Sequence, residues 1–184
     1  IFIIAVPTPI DENPGKIPTP NIKFVLDAAC SIKNLIRPGN LIIIESTSPL
    51  GTTEKVASLI FDKLDFNTEE VSLAYCPERV IPGRTLYEIT HNDRVIGGYN
   101  NESSRVCKLF YESFCNGKII TTNSRTAELI KLSENAYRDV NIAFANELSM
   151  VCSESSIDIE ELIRIANYHP RVNILQPGCG VGGH

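Results

Sequence analysis

The chain has 184 residues, 43% of them hydrophobic, and a formal net charge of −5. That length suits one ordinary domain, or one domain with part of a second, and the composition describes a soluble globular protein. No basic stripe offers a nucleic-acid footprint and no apolar run approaches the ~20 residues of a bilayer-spanning helix, so neither nucleic acid nor membrane is expected as a partner.

The chain opens on a strand-like aliphatic run at residues 1–6. A proline-rich polar segment at 7–20 follows and reads as a loop at that strand's carboxyl end. Further β-branched or aliphatic runs fall at 41–46, 71–75, 94–97 and 118–121, with helical periodicity between them at about 21–36, 51–64 and 101–114. Alternating strands and helices predict βαβ units in a mostly parallel sheet covered on both faces. Gly51, Thr52, Thr53 and Glu54 stand in an order like a capping box at the start of the second helix. After residue 122 the strand signals stop. Residues 123–154 contain neither proline nor glycine and predict one long helix. A shorter helix at 158–168 is capped by Asp158 and ended by His169 before Pro170. The remainder, 171–184, is irregular and glycine-rich, so the chain divides into an α/β module at 1–122 and a helical module at 123–184.

The six cysteines (Cys30, Cys76, Cys107, Cys115, Cys152 and Cys179) contain no CxxC pair. This suits reduced thiols in the cytoplasm better than a disulfide framework or a zinc site, and no metal is expected. Several fall within strand or helix patterns, where a cysteine packs as a small hydrophobe. Cys179 lies in the glycine-rich stretch without an adjacent base to lower its pKa, so it is not assigned as a nucleophile.

Lys131 and Asn135 carry the strongest chemical signal. Four residues apart on the long helix, they stack an ammonium and an amide on one face, among Leu129, Leu132, Ala136, Ile142, Ala143 and Phe144. The plainer alternative has Lys131 reaching to solvent and Asn135 bonding the backbone. Ligands of open α/β sheets bind outside the carboxyl ends of the strands. Thr8, Ser46, Thr47 and Glu78 all follow predicted strand ends, so they are expected at one rim. The hydroxyls of the 45–54 segment suit cofactor binding, or a helix cap. Glu78 beside Arg79 suits activation of a water and binding of a phosphate or carboxylate, or a solvated ion pair.

Taken together, six segments resemble the UDP-glucose/GDP-mannose dehydrogenase family: AVPTP (5–9), ESTSPLGTTE (45–54), YCPERVIPG (75–83), NDRVIGG (92–98), AELIKLSENAYRDVNIAFANELS (127–149) and HPRVNILQPGCGVGGH (169–184). They span nearly the whole chain. CPERVIPG, NSRTAE and HPRVNILQPG look most like the family's UDP-N-acetyl-D-mannosamine branch; the glucose branch has a phenylalanine where Arg79 stands and an acid where Pro82 stands.

The resemblance implies part of a Rossmann-like, mostly parallel sheet with a central helical dimerisation domain. It implies NAD-dependent, four-electron oxidation of a UDP-N-acetylhexosamine at its C6 alcohol, most simply UDP-N-acetyl-D-mannosamine, for surface-polysaccharide precursors. Val6, Pro7, Thr8 and Thr47 would contact NAD. Arg79, Val80, Asn135, Arg138 and Gly182 would hold the nucleotide sugar, and His169 and Arg171 match positions that often reach the partner subunit's site across a homodimer built on the long helix. Lys131, with Asn135, would act as acid/base or stabilise developing charge on oxygen; Thr47 would stand beside the reacting centre and Glu78 would serve thioester hydrolysis. The family's GxGxxG fingerprint is expected before Ile1 and its nucleophilic cysteine directly after His184, so the chain reads as a segment of a longer protein, inactive by itself. UDP-N-acetylglucosamine or UDP-glucose oxidation are alternatives, as is a one-hydride β-hydroxyacid dehydrogenase, against which CPER and GVGGH count. A non-catalytic dimerisation module is the alternative of another class.

Overall fold

The computed structural model describes every residue except 12–14, 16, 62–69, 81–82 and 181–184. Its elements run β1 (Phe2–Ile4), β2 (Ile10–Asp11), β3 (Thr19–Pro20), α1 (Lys23–Ile32), β4 (Leu41–Ile44), α2 (Thr52–Phe61), β5 (Ser72–Tyr75), α3 (Thr85–His91), β6 (Arg94–Gly98), α4 (Asn101–Glu112), β7 (Ile119–Asn123), α5 (Ser124–Ser155) and α6 (Ile159–Ala166). The chain forms two compact units, Ile1–Leu132 and Ser133–Gly183, with α5 contributing to both.

The first unit is built on a five-stranded sheet in the order β1-β4-β5-β6-β7. β1, β4 and β5 pair in parallel, as do β6 and β7. Strand side chains alternate between faces, and here both faces are covered, so β4 can be apolar throughout. Ile42 and Ile44 join Leu73, Tyr75 and Val95 in a core with Val25 and Ala29 of α1 and Val56, Ala57 and Ile60 of α2. Ile43 joins Ala74, Cys76 and Ile96 in a second core with Cys107 and Tyr111 of α4. The thiols of Cys76 and Cys107 thus pack as hydrophobes, and all six cysteines are free.

Four features depart from the sequence-based expectations. β6 runs antiparallel to β5, with Tyr75 opposite Gly97. A parallel return needs a long crossover packed on the sheet, whereas the only described helix between these strands, α3, has no buried residue. That helix is itself an addition to the expected elements. The loop at 7–20 contains a short antiparallel pair, β2 with β3, Ile10 opposite Pro20. Finally, α2 has no local capping box. Thr52 Oγ1 donates to the Pro49 carbonyl, and the N-terminal amides of Gly51 and Thr53 donate to Glu128 of α5, 2.6 and 2.8 Å away.

The approach of α5 to the sheet is set by glycine. A Cβ on Gly97 would lie 2.6 Å from the Ala127 Cβ and 2.7 Å from the Asn123 carbonyl oxygen. Only a residue without a side chain lets the first turn of α5 lie directly on β6.

In the second unit α5 ends in a reversed turn at Ser156 (φ 55°), where the Ile157 amide donates to the Cys152 carbonyl at 2.9 Å. Asp158 caps α6 by accepting from the Glu160 amide, as its sequence indicated. Two asparagines then hold the following segment by two-way bonds to its backbone. Asn167 pairs with the amide and carbonyl of Ile174, and Asn146 with those of Gly178, at 2.8 to 3.0 Å.

Candidate functional site

The carboxyl ends of β1, β4 and β5 converge on one rim, and their exits are stitched together. The Ser46 hydroxyl accepts from the Val6 amide at 2.8 Å and donates to the Val6 carbonyl at 2.7 Å. Its capacity is used within the fold, so Ser46 is a strut. The Thr8 hydroxyl donates to the Thr47 carbonyl at 2.6 Å, and the Glu78 amide to the Glu45 carbonyl at 3.3 Å. Between these loops lies a cleft of about 300 Å³ lined by Val6, Pro7, Thr8, Ser46, Thr47 and Glu78.

Lys131 reaches this rim from α5. Its Nζ donates to the Glu78 carbonyl at 2.8 Å, 53 residues away in sequence, rather than trailing into bulk water. The Glu78 carboxylate turns back to accept from the Val80 amide. Glu78 therefore braces the loop after β5 and presents its backbone to the ammonium.

A second cavity, of about 230 Å³, shares Glu45 and Glu78 with the cleft and is also lined by Arg79, Val80, Arg94 and Tyr111, among others. The Arg79 guanidinium donates to the Asp93 carbonyl at 3.1 Å, and Asn92 donates to the Arg79 carbonyl at 2.8 Å. Beneath it Arg94 is buried, its guanidinium 4.3 Å from the centre of the Tyr111 ring and 4.0 Å from the Glu45 carboxylate. The Tyr111 hydroxyl donates to Glu45 at 2.6 Å. Burial pushes the Cys76 thiol up to about 11, more than the nearby Arg94 cation lowers it, and burial raises Cys107 and Tyr111 as well. These groups stay protonated at neutral pH, so neither thiol is a nucleophile.

The structure thus gathers Val6, Pro7, Thr8, Thr47 and Glu78 around one cleft, with Lys131 bonded to Glu78, while Arg79 and Val80 join Glu78 in the second cavity. Asn135 and Arg138 follow on α5 in the second unit, Asn135 half-buried and Arg138 exposed. His169 and Arg171 are exposed in that unit, the Arg171 amide donating to His169 Nδ1 at 3.3 Å. Gly182 lies outside the described residues. The apolar company of the Lys131–Asn135 pair is not core: Leu129, Ala136, Ala143 and Phe144 are exposed, and only Ile142 of the six is buried.

Two residues of the site escaped the sequence reading. Glu45 directly follows the wholly apolar β4 and precedes the hydroxyl turn, a charge at a strand end that marks the rim. Glu128 is fully buried and acts at the 51–53 turn, a partnership 75 residues long that no local pattern reveals. Among the described residues no cluster of His, Cys, Asp or Glu is placed to hold a metal ion, and no described helix is long and apolar enough to cross a membrane.

Comparison with known proteins bears on this geometry directly. Residues 1–115 match the NAD binding domain of the UDP-glucose/GDP-mannose dehydrogenase family, and residues 125–184 match its central domain. The chain belongs to this family. It is 51% identical to a UDP-N-acetyl-D-mannosamine dehydrogenase of Yersinia pestis, over all of this chain and 44% of that protein. An NDP-N-acetyl-D-galactosaminuronic acid dehydrogenase of Ralstonia nicotianae is 48% identical, again over all of this chain and 44% of the relative. The solved structure of a UDP-D-ManNAc dehydrogenase from Pyrococcus horikoshii superposes with a TM-score of 0.88 at 42% identity, over the whole of this chain and 43% of that one. The chain therefore spans somewhat less than half the length of these relatives, and its α/β fold is the Rossmann type of nucleotide-sugar dehydrogenases.

NAD is the cofactor of this family's first domain. The cleft opens at the carboxyl ends of parallel strands, the edge at which open α/β sheets bind ligands, with apolar Val6 and Pro7 beside the Thr8 and Thr47 turns.

Proposed function

We propose that this chain forms part of the NAD-binding domain (1–122) and the central domain (123–184) of a cytoplasmic enzyme that oxidises the C6 alcohol of a UDP-N-acetylhexosamine to the uronic acid, UDP-N-acetyl-D-mannosamine being the first candidate. One observation carries the reading: the Lys131 ammonium is held at the strand-end rim, 2.8 Å from the carbonyl of a residue that lines the cleft. The named relatives support the substrate class, and the Ralstonia nicotianae protein keeps the choice of sugar open to test.

NAD, when bound, accepts the hydride that leaves C6. The chain's residues would do the rest. Val6, Pro7, Thr8 and Thr47 wall the cofactor's end of the cleft. An ammonium carries three donors, so Lys131 engages Glu78 and still has donors for the sugar oxygen, where negative charge develops as the hydroxyl proton passes to solvent water and is drawn into the new carbonyl as the hydride leaves. By the family resemblance, Asn135 would add an amide donor, and Arg79, Val80, Arg138, His169, Arg171 and Gly182 would hold the nucleotide sugar. Preorganised donors aimed at a developing oxyanion are usually the largest single contribution to such a barrier. Glu78 would orient the water that completes the acid.

The overall change removes two hydrides and consumes one water, so two NADH should form per uronic acid. Full-length protein supplied with UDP-N-acetyl-D-mannosamine, UDP-N-acetylglucosamine or UDP-glucose tests this by absorbance and product analysis. One NADH per turnover would favour the β-hydroxyacid reading instead.

Self-association is a second reading with its own support. Tyr137, Val140, Phe144 and Val151 follow the 3–4–7 spacing of one helix face and are all more than half exposed. This stripe suits a homodimer built along α5. Phe144→Glu should shift the protein to monomer in analytical ultracentrifugation while its circular dichroism stays that of the folded parent; an unchanged sedimentation coefficient would reject the interface.

A further inference from the structure

We infer that Glu128 is a positioning residue: it locks α5 to the turn that follows Thr47 and so sets where Lys131 meets the cleft. This rests on the reading of Lys131 given above. Glu128 is fully buried, a location that a carboxylate occupies only with strong compensation. The compensation comes from three donors at one place. Gly51 N–H meets Oε2 at 2.6 Å, while Thr53 N–H and the Thr53 hydroxyl meet Oε1 at 2.8 and 2.7 Å. Gly51, at φ +86°, supplies the turn between Thr47 and the first residue of α2, and the positive end of the α2 dipole adds to the attraction.

A local serine, threonine or aspartate caps most helices and ties a helix only to itself. Here the cap comes from the helix that carries the lysine. Glu128 and Lys131 are three residues apart, on adjacent turns of one rigid rod. Glu128 holds the rod to the β4–α2 turn, and Lys131 meets the loop after β5; Ala127, packed at Gly97, sets the depth. A slide or roll of α5 that broke the Glu128 contacts would also carry the ammonium off Glu78. Among the described residues Glu128 neither lines the cleft nor bonds to Lys131, so its effect on turnover must pass through the helix.

The test uses the full-length protein with Glu128→Gln, Lys131→Ala and the double variant, with steady-state kinetics and melting curves for each. Glutamine keeps the shape but turns one acceptor into a donor facing N–H groups. Glu128→Gln is expected to lower kcat by about 10–100-fold, the size of effect that an ångström-scale misplacement produces, with the KM for NAD changed less than about threefold. In the Lys131→Ala background the same change should cost nothing further, because the group it positions is gone. A purely structural cap would lower Tm and slow the Lys131→Ala enzyme by the same factor as the parent; that result, or a normal kcat in folded Glu128→Gln, overturns the proposal. Should Glu128→Gln fail to fold, Thr53→Ala removes one donor of the three, and its smaller kcat loss must likewise vanish in the Lys131→Ala background. Normal turnover by Lys131→Ala alone would instead refute the reading on which this inference rests.

Discussion

Gly97→Ala isolates the contact that brings α5 to the sheet. The added Cβ would sit 2.6 Å from the Ala127 Cβ, 2.7 Å from the Asn123 carbonyl oxygen and 2.7 Å from the Ser124 Cα. Carbon pairs rest at about 3.5–4.0 Å, so the first turn of α5 has to retreat by roughly 1 Å. Two of the three obstacles are backbone atoms, which no rotamer change can move aside. Overpacking of this kind costs about 1–3 kcal/mol. At roughly 4 °C per kcal/mol for a unit of this size, Tm should fall by about 4–12 °C. A 1 Å retreat also stretches the 2.8 Å bond from Lys131 to Glu78 past hydrogen-bond range. Turnover of the full-length protein, measured well below its Tm, should therefore drop by about tenfold or more. Ala127→Gly in the same chain relieves the shortest contact and should restore part of both losses, a coupling that distant sites do not show. A Gly97→Ala protein with Tm within 1 °C of the parent and full turnover would refute the packing argument.

Three further expectations follow from the geometry. Burial holds the Cys76 thiol at about 11 in the folded chain against 9.0 when exposed, so its contribution to stability is complete below pH 9 and is lost as pH rises toward 11. Cys76→Ala should flatten the alkaline decline in melting temperature between pH 8 and pH 10.5 by the equivalent of about 2 kcal/mol; parallel curves for the two proteins would contradict this. With a thiol reagent at pH 8, exposed Cys30 and Cys179 should react in the native protein, while Cys76, Cys107, Cys115 and Cys152 react only in denaturant. Asn146→Ala removes both bonds to Gly178, so amide exchange at Gly178 should accelerate by about tenfold. Ile174, held by Asn167, should be unaffected; equal acceleration at both would mean the segment is held as one piece.

Much of the fold was legible because its physics is local. β4 reads as a buried strand since all four of its residues are covered, and α5 reads as one helix since nothing in it interrupts the hydrogen-bond ladder. Thr8, Thr47 and Glu78 were placed at one rim by topology alone, because parallel strands deliver their carboxyl ends to the same edge. What stayed hidden depends on distance or on missing pattern. α3 carries no buried residue and so leaves no amphipathic signature. The antiparallel turn between β5 and β6 follows from where the connecting segment packs, which the strand sequences do not record. Glu128 looked like any acid on a helix until the fold brought Gly51 and Thr53 to it. The apolar neighbours of Lys131 suggested a buried setting, yet Leu129 and Phe144 are exposed: helical periodicity shows that a face is apolar, not what covers it.

The central claim is that the Lys131 ammonium acts on a substrate oxygen at the cleft of Thr8, Thr47 and Glu78. Pre-steady-state NADH formation by full-length Lys131→Ala, compared with the parent at saturating NAD and UDP-N-acetyl-D-mannosamine, addresses it most directly. Loss of one such donor should slow the chemical step by about 10²–10³-fold, with substrate affinity changed far less. A rate within threefold of the parent, from a variant with the parent's melting temperature, would contradict the assignment.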